Sequence, residues 1–226
     1  GYGHIGAQVK GVKTTYPSAL PHMVMKDVLG QVVPAGKTCE DLGVCFFTAE
    51  AVISIGSAFE SGQLPTSKTL TFIKKDGTRK IVETCIGTPI GNILEAFGET
   101  VNEFDRIIFG GPMTGSAVYA LEHPVQPDTD SIIVVDRDKA AYASDYPCTN
   151  CGECVRTCPA KIQVNMLVRL LEANQYEEAA DSYDLYSCIE CGLCSYVCVS
   201  RIPIFQYIKM AKYELERAKT PEAADA

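Results

Sequence analysis

Cys148-x-x-Cys151-x-x-Cys154-x-x-x-Cys158-Pro159, followed by Cys188-x-x-Cys191-x-x-Cys194-x-x-x-Cys198, is the stretch that decides how this chain is read. Eight of the eleven cysteines fall in it, as two copies of one spacing offset by 40 residues. Three thiols at this spacing let one tight loop wrap a corner of an iron–sulfide cube. Gly152 and Gly192 follow the second cysteine of each run, where the backbone must turn closely against inorganic sulfide and a residue without Cβ turns most easily.

The spacing is that of bacterial two-cluster ferredoxins, in which the fourth cysteine of each run ligates the other cluster. It assigns Cys148, Cys151, Cys154 and Cys198 to one [4Fe-4S] cluster, and Cys188, Cys191, Cys194 and Cys158 to a second. Each cluster then ties two loops together, so that metal binding becomes part of folding. Two bland readings compete. Structural zinc sites use two CxxC pairs per ion and have no need of the third cysteine at this spacing. A disulfide framework suits a secreted chain, whereas this spacing in an intracellular one argues for metal.

Composition narrows the class. At 226 residues with 46% hydrophobic content the chain can bury packed cores in one, two or three small domains. A formal charge of −8 argues against a nucleic-acid-binding face. No apolar run approaches the ~20 residues that span a bilayer, and the first residues lack the pattern of a secretory leader. The expected location is cytoplasmic or peripheral on the cytoplasmic membrane face, with membrane association only through partner subunits.

Along the chain, the pattern predicts a short strand at Ala7–Lys13, a helix over Met23–Leu29 ended by Gly30, and a Pro34-Ala35-Gly36 turn. Val44-Cys45-Phe46-Phe47 reads as a buried strand, and Thr48 as the N-cap of a helix from Ala49 to about Phe59, closed by Gly62. Thr69–Lys74 and Arg79–Cys85 read as a hairpin about Asp76-Gly77. A helix follows over Ile90–Phe97, with Thr88 as cap and Pro89 at its first position. Arg106–Phe109 and Ser131–Val135 are strands. Asp136–Pro147 is a linker. Helices are expected at Val164–Ala173, Tyr176–Asp181 and from Pro203 to about Ala218. The expected organisation is α+β and multidomain: a partial α/β segment over 1–64, a β-grasp domain over 65–135, an α-helical two-cluster module over 136–219 and a frayed tail over 220–226.

Further residues carry a resemblance. They are Tyr16-Pro17, Val33-Pro34-Ala35-Gly36, Ile86-Gly87-Thr88-Pro89, Gly110-Gly111-Pro112-Met113-x-Gly115, the two cysteine runs, and Ile202-Pro203-x-x-Gln206-Tyr207-Ile208. In this order they resemble the C-terminal two-thirds of the C subunit of Rnf electron-transport complexes. The cobalamin reductase of propanediol microcompartments and the flavin subunit of respiratory complex I are related. The resemblance implies a split flavin-binding domain, a β-grasp domain of the soluble-ligand-binding type and a helical ferredoxin domain. It also implies electron flow between NADH, FMN, clusters and a ferredoxin or membrane partner.

Two parts of that pattern are not met. Gly1–Gly6 is too short to supply the glycine-rich FMN and NADH loop, and Phe46-Phe47-Thr48-Ala49-Glu50-Ala51 lacks the family's flavin-contacting Asn. FMN is accordingly a doubtful cofactor, and Phe46 and Phe47 are read as core residues. The expected function is an iron–sulfur subunit, not catalytic alone, that relays single electrons between a flavoprotein or NADH-linked partner and a ferredoxin or membrane redox module. The alternative is an FMN-containing, NADH-oxidising subunit.

Remaining candidates have plainer readings. Cys39, Cys45 and Cys85 are isolated and read as small buried hydrophobes. His4, His22 and His123 read as loop or surface groups. Gly110–Gly115 reads as a turn rather than a phosphate cradle. Lys209, Lys212 and Arg217 read as a solvated helix face, with docking of an acidic carrier as the sharper alternative.

Overall fold

The computed structural model describes residues 6–140 and 142–219. The tail expected over 220–226, and His4, lie outside them. The described chain forms two compact units, one of residues 1–46 with 143–226 and one of residues 47–142. Residues 1–64, expected as one segment, are thus shared between the two.

In the second unit, Thr48 caps helix α2 (Ala49–Ser61) by accepting a hydrogen bond from the Ala51 amide, and Gly62 ends it in the left-handed conformation. Strands β1 (Ser67–Ile73) and β2 (Arg79–Cys85) form the expected hairpin, in register Ser67↔Cys85 to Ile73↔Arg79. Helix α3 (Ile90–Ala96) follows, then β3 (Arg106–Phe109), β4 (Ser116–Val118) and β5 (Ser131–Val135). The sheet order is β2-β1-β5-β3-β4; β1 and β5 run parallel and the other neighbours antiparallel. Lys68, Leu70 and Phe72 alternate onto the buried face of β1. There Leu70 and Phe72 meet Ile90, Ile93 and Leu94 of α3 and Ile107, Ile132 and Val134 of the neighbouring strands.

Lys68 is held in that row by charge. Its ammonium, on a side chain 8% exposed, bonds Glu50 of α2 at 2.6 Å and Asp130 at 3.1 Å. Burial acts to lower its pKa, and the two carboxylates overcome this and raise it. Glu50 also accepts from the Thr69 amide, so one carboxylate fastens α2 to the first strand.

Several expectations are corrected. Ala7–Lys13 is irregular and exposed. Val44–Phe47 forms no strand; Phe47 is 65% exposed and Phe46 lies at the surface, so neither is a core residue. No described strand pairs with this run, and an apolar run without a pairing partner has nothing to bury it. Val52, Ile53 and Phe59 of α2 are likewise exposed. Pro89, not Thr88, is the residue preceding the first turn of α3. Cys39 is buried, but Cys45 and Cys85 are exposed. Gly110–Gly115 is a closed turn, the Gly115 amide donating to the Gly111 carbonyl at 2.7 Å.

In the first unit, α1 (Pro21–Asp27) precedes a 3-10 turn at Glu40–Leu42. After residue 142 come α4 (Glu153–Thr157), α5 (Val164–Glu172), α6 (Tyr176–Ser182), a 3-10 turn at Leu185–Ser187, α7 (Leu193–Tyr196) and α8 (Ile204–Lys219). The helical periodicity at Leu167, Leu171, Ile204, Ile208 and Ala211 becomes one apolar core, joined by Ala179, Leu185 and Ile202. No described helix is long and apolar enough to cross a membrane.

Candidate metal centre

The two cysteine runs fold as near copies. The residue before each second cysteine is left-handed (Asn150, φ 57°; Glu190, φ 55°), as is the glycine after it (Gly152, φ 76°; Gly192, φ 74°). A short helix then carries the third cysteine: Cys154 on α4 and Cys194 on α7. Three residues beyond the fourth cysteine the chain is left-handed again, at Lys161 (φ 59°) and Arg201 (φ 53°). Each of these amides donates back to the carbonyl of its cysteine, Cys158 or Cys198. The next helices begin at Val164 and Ile204, so the 40-residue repeat extends into α5 and α8.

This geometry brings the cysteines together in crossed sets. Cys148, Cys151, Cys154 and Cys198 line one small cavity, walled by Val168, Ile202 and Ile204. Cys158, Cys188, Cys191 and Cys194 line another, walled by Ile162, Phe205 and Ile208. Among the described residues no three His, Cys, Asp or Glu side chains converge as a single metal ion requires. The thiols surround a volume rather than a point, which fits a cube carrying a metal at each thiolate better than a lone zinc ion.

The two nests differ in exposure. In the first, Cys151 is exposed, Cys148 and Cys198 are half-buried and Cys154 is buried; in the second, Cys188 is half-buried and Cys158, Cys191 and Cys194 are buried. Burial pushes the Cys194 thiol up to about 12. It pushes Cys188 up to about 11, against the Glu190 amide and the Lys212 ammonium, which act to lower it. Burial likewise raises Cys154 and Cys191. Thiolates in such surroundings need cationic metal to exist at neutral pH, so loading the nests releases protons. Backbone amides are already aimed at sulfur: Glu190 N–H donates to Cys188 Sγ and Ile202 N–H to Cys198 Sγ, each at 3.4 Å.

Residues outside the motif support it, and sequence spacing gives no sign of these contacts. The Tyr16 hydroxyl donates to the Cys191 carbonyl. Burial and then the neighbouring Cys191 sulfur raise its pKa. The Gly36 amide donates to the Tyr186 carbonyl. Lys212 is not a solvated face residue: it donates to the Cys188 carbonyl and to Glu190 Oε1, both at 2.8 Å. Lys209 sits over the Phe205 ring, and Arg217 pairs with Glu214. In the first run Arg156 donates to the Cys151 carbonyl and pairs with Glu153.

Comparison with known proteins points to the same class of cofactor. Residues 140–199 match the family described as a 4Fe-4S dicluster domain. The chain is 33% identical over 219 residues to the C subunit of the proton-translocating ferredoxin:NAD(+) oxidoreductase complex of Clostridium ljungdahlii, covering 96% of this chain and 48% of that protein. It is 33% identical over 226 residues to the C subunit of the ion-translocating oxidoreductase complex of Edwardsiella ictaluri, covering 99% of this chain and 28% of that protein. It is 30% identical over 171 residues to the corresponding protein of Rhodobacter capsulatus, covering 75% of this chain and 33% of that protein. The chain thus spans about half or less of the length of these relatives. Over most of its length it is similar to part of the C subunit of ion-translocating oxidoreductase complexes, and within it residues 140–199 match a 4Fe-4S dicluster domain.

Proposed function

We propose that this chain is the iron–sulfur part of an electron-transfer subunit and relays single electrons within a ferredoxin- and NAD-linked redox complex. The observation that carries the reading is the crossed lining of two separate cavities by four cysteines each. Cys148, Cys151, Cys154 and Cys198 hold one [4Fe-4S] cluster, and Cys188, Cys191, Cys194 and Cys158 hold the other. When bound, each cluster accepts and returns one electron with little movement of the protein around it. The protein's part is to supply the thiolates, exclude water and aim amides at sulfur, which are the levers that set potential.

Unequal burial gives the relay two distinct ends. The nest with exposed Cys151 is the exchange point with an external redox partner, and the buried nest is the internal station. The name of the Clostridium ljungdahlii relative, a subunit of a ferredoxin:NAD(+) oxidoreductase complex, supports a ferredoxin as that partner. Membrane association comes through other subunits.

The hairpin, helix and mixed sheet of residues 65–135 support a β-grasp domain of the soluble-ligand-binding type. Residues 136–219 form the helical two-cluster module.

The test is anaerobic preparation of the chain followed by iron and acid-labile sulfide analysis. About eight of each per chain is expected for two cubanes. Stoichiometric zinc without sulfide contradicts the proposal, and a flavin absorbance band in the same material favours the FMN-containing alternative.

A further inference from the structure

The two nests are near copies, but they differ in what holds the left-handed residue ahead of the second cysteine. In the first run that residue is Asn150, a type that tolerates this conformation. Its side-chain oxygen accepts from Asn165 on α5 at 2.8 Å, so the brace is neutral. In the second run it is Glu190, a type that does not favour the conformation. Its carboxylate is braced by Lys212 on α8 at 2.8 Å, and the same ammonium reaches the Cys188 carbonyl. The Glu190 amide, fixed by that backbone, donates to Cys188 Sγ. The Lys212 side chain is 20% exposed and that of Glu190 41%, so water screens the carboxylate more than the ammonium.

We propose that Lys212 is a positioning residue that sets the potential of the cluster held by Cys158, Cys188, Cys191 and Cys194 apart from that of its neighbour. This rests on the proposed cluster-bearing function. Reduction adds one electron, from a low-potential donor, to a cluster that gives up nothing in exchange. A fixed ammonium on the Cys188 carbonyl stabilises that added negative charge and makes the potential less negative. The neutral Asn165–Asn150 brace exerts no such pull on the first nest; the cation there, Arg156 on the Cys151 carbonyl, is 63% exposed and paired with Glu153, so water screens it far more than Lys212. Glu190 opposes the effect, and with Lys212 absent its charge remains to push the potential down.

The test is a dithionite titration of the full chain, reconstituted anaerobically with iron and sulfide and followed by electron paramagnetic resonance. Iron content is measured first. Lys212→Gln is expected to make one midpoint more negative and leave the other unchanged. Lys212→Arg is expected to restore it. Glu190→Asn, which keeps a residue suited to the left-handed backbone, is expected to move the same midpoint in the opposite direction. A merely structural brace predicts loss of cluster content without these opposed shifts. Normal iron with both midpoints unmoved in Lys212→Gln and Glu190→Asn overturns the role of Lys212 and leaves the cluster reading standing. Wild-type protein that takes up no iron overturns both. If Lys212→Gln does not load the second nest, Glu190→Asn decides the question alone.

Discussion

The Tyr16 hydroxyl donates a hydrogen bond to the carbonyl of Cys191, a residue 175 positions away in the chain. Together with Gly36 donating to Tyr186, it fastens the first stretch of the unit to the second cysteine loop. Tyr16→Phe removes only this hydroxyl. A net hydrogen bond contributes about 0.5–1.5 kcal/mol, so the variant is expected to fold and keep its iron. Amide hydrogen exchange at residues 16–36 and 188–194 should accelerate by up to roughly tenfold, as that free energy implies. Unchanged exchange in both segments would show that the contact holds nothing in place.

Asp105 makes stability depend on acid. Its side chain is 1% exposed and pairs with Lys75. The Lys75 hydrogen bond first, then those from the Asn102 and Arg137 amides, hold its carboxyl down from 3.8 to about 2. A carboxyl whose pKa is lowered by folding stabilises the fold above its ordinary value, and that contribution disappears as pH falls toward the folded value. Unfolding midpoints for residues 47–142 should therefore fall between about pH 4 and pH 2. Asp105→Asn should unfold more easily at neutral pH and lose part of that acid dependence. Parallel pH profiles for the two proteins would rule out this role.

Two glycines should respond oppositely to alanine. A Cβ on Gly115 would lie 2.5 Å from the Phe109 carbonyl oxygen and 2.6 Å from that of Gly111. Backbone atoms cannot step aside, so Gly115→Ala is expected to destabilise by about 1–3 kcal/mol, the usual range for overpacking. Gly56 lies within α2, and a methyl group there would meet nothing within 4 Å. Gly56→Ala should stabilise by about 0.5–1 kcal/mol. Chemical denaturation of both variants checks the pair, and the same sign for both would refute the geometric argument.

The core of the sheet offers a larger effect. Phe72 is fully buried, packs against the Phe97 ring at 5.3 Å between centroids, and sits beside Leu94 and Ile132 in one apolar cluster. Phe72→Ala should cost about 3–5 kcal/mol. The loss should appear in the unfolding of residues 47–142, with the iron content of the chain retained.

What the sequence discloses depends on how local each cause is. Asp76-Gly77 fixes a hairpin by its own backbone preference, and β1 and β2 lie where alternation about that turn puts them. Thr48 and Gly62 bound α2 by capping chemistry contained within the helix itself. The cysteine spacing foretells both loops, because it records a repeated local geometry. Strand β4 is three residues long, so Ser116–Val118 is too short to show a period. Val44–Phe47 misleads because an apolar run specifies no partner. The contacts of Tyr16 and Lys212 join distant parts of the chain, and spacing cannot express them. Lys68 reads as an ordinary strand residue, and only the fold brings Glu50 and Asp130 to its ammonium.

The crossed assignment of the fourth cysteines is tested most directly by four single Cys→Ser variants, compared by the paramagnetic spectra of their reduced forms. Cys148→Ser and Cys198→Ser should disturb the same cluster and leave one residual spectrum in common. Cys188→Ser and Cys158→Ser should leave the other. If Cys148→Ser instead matches Cys158→Ser, each run holds its own cluster and the crossed arrangement is wrong.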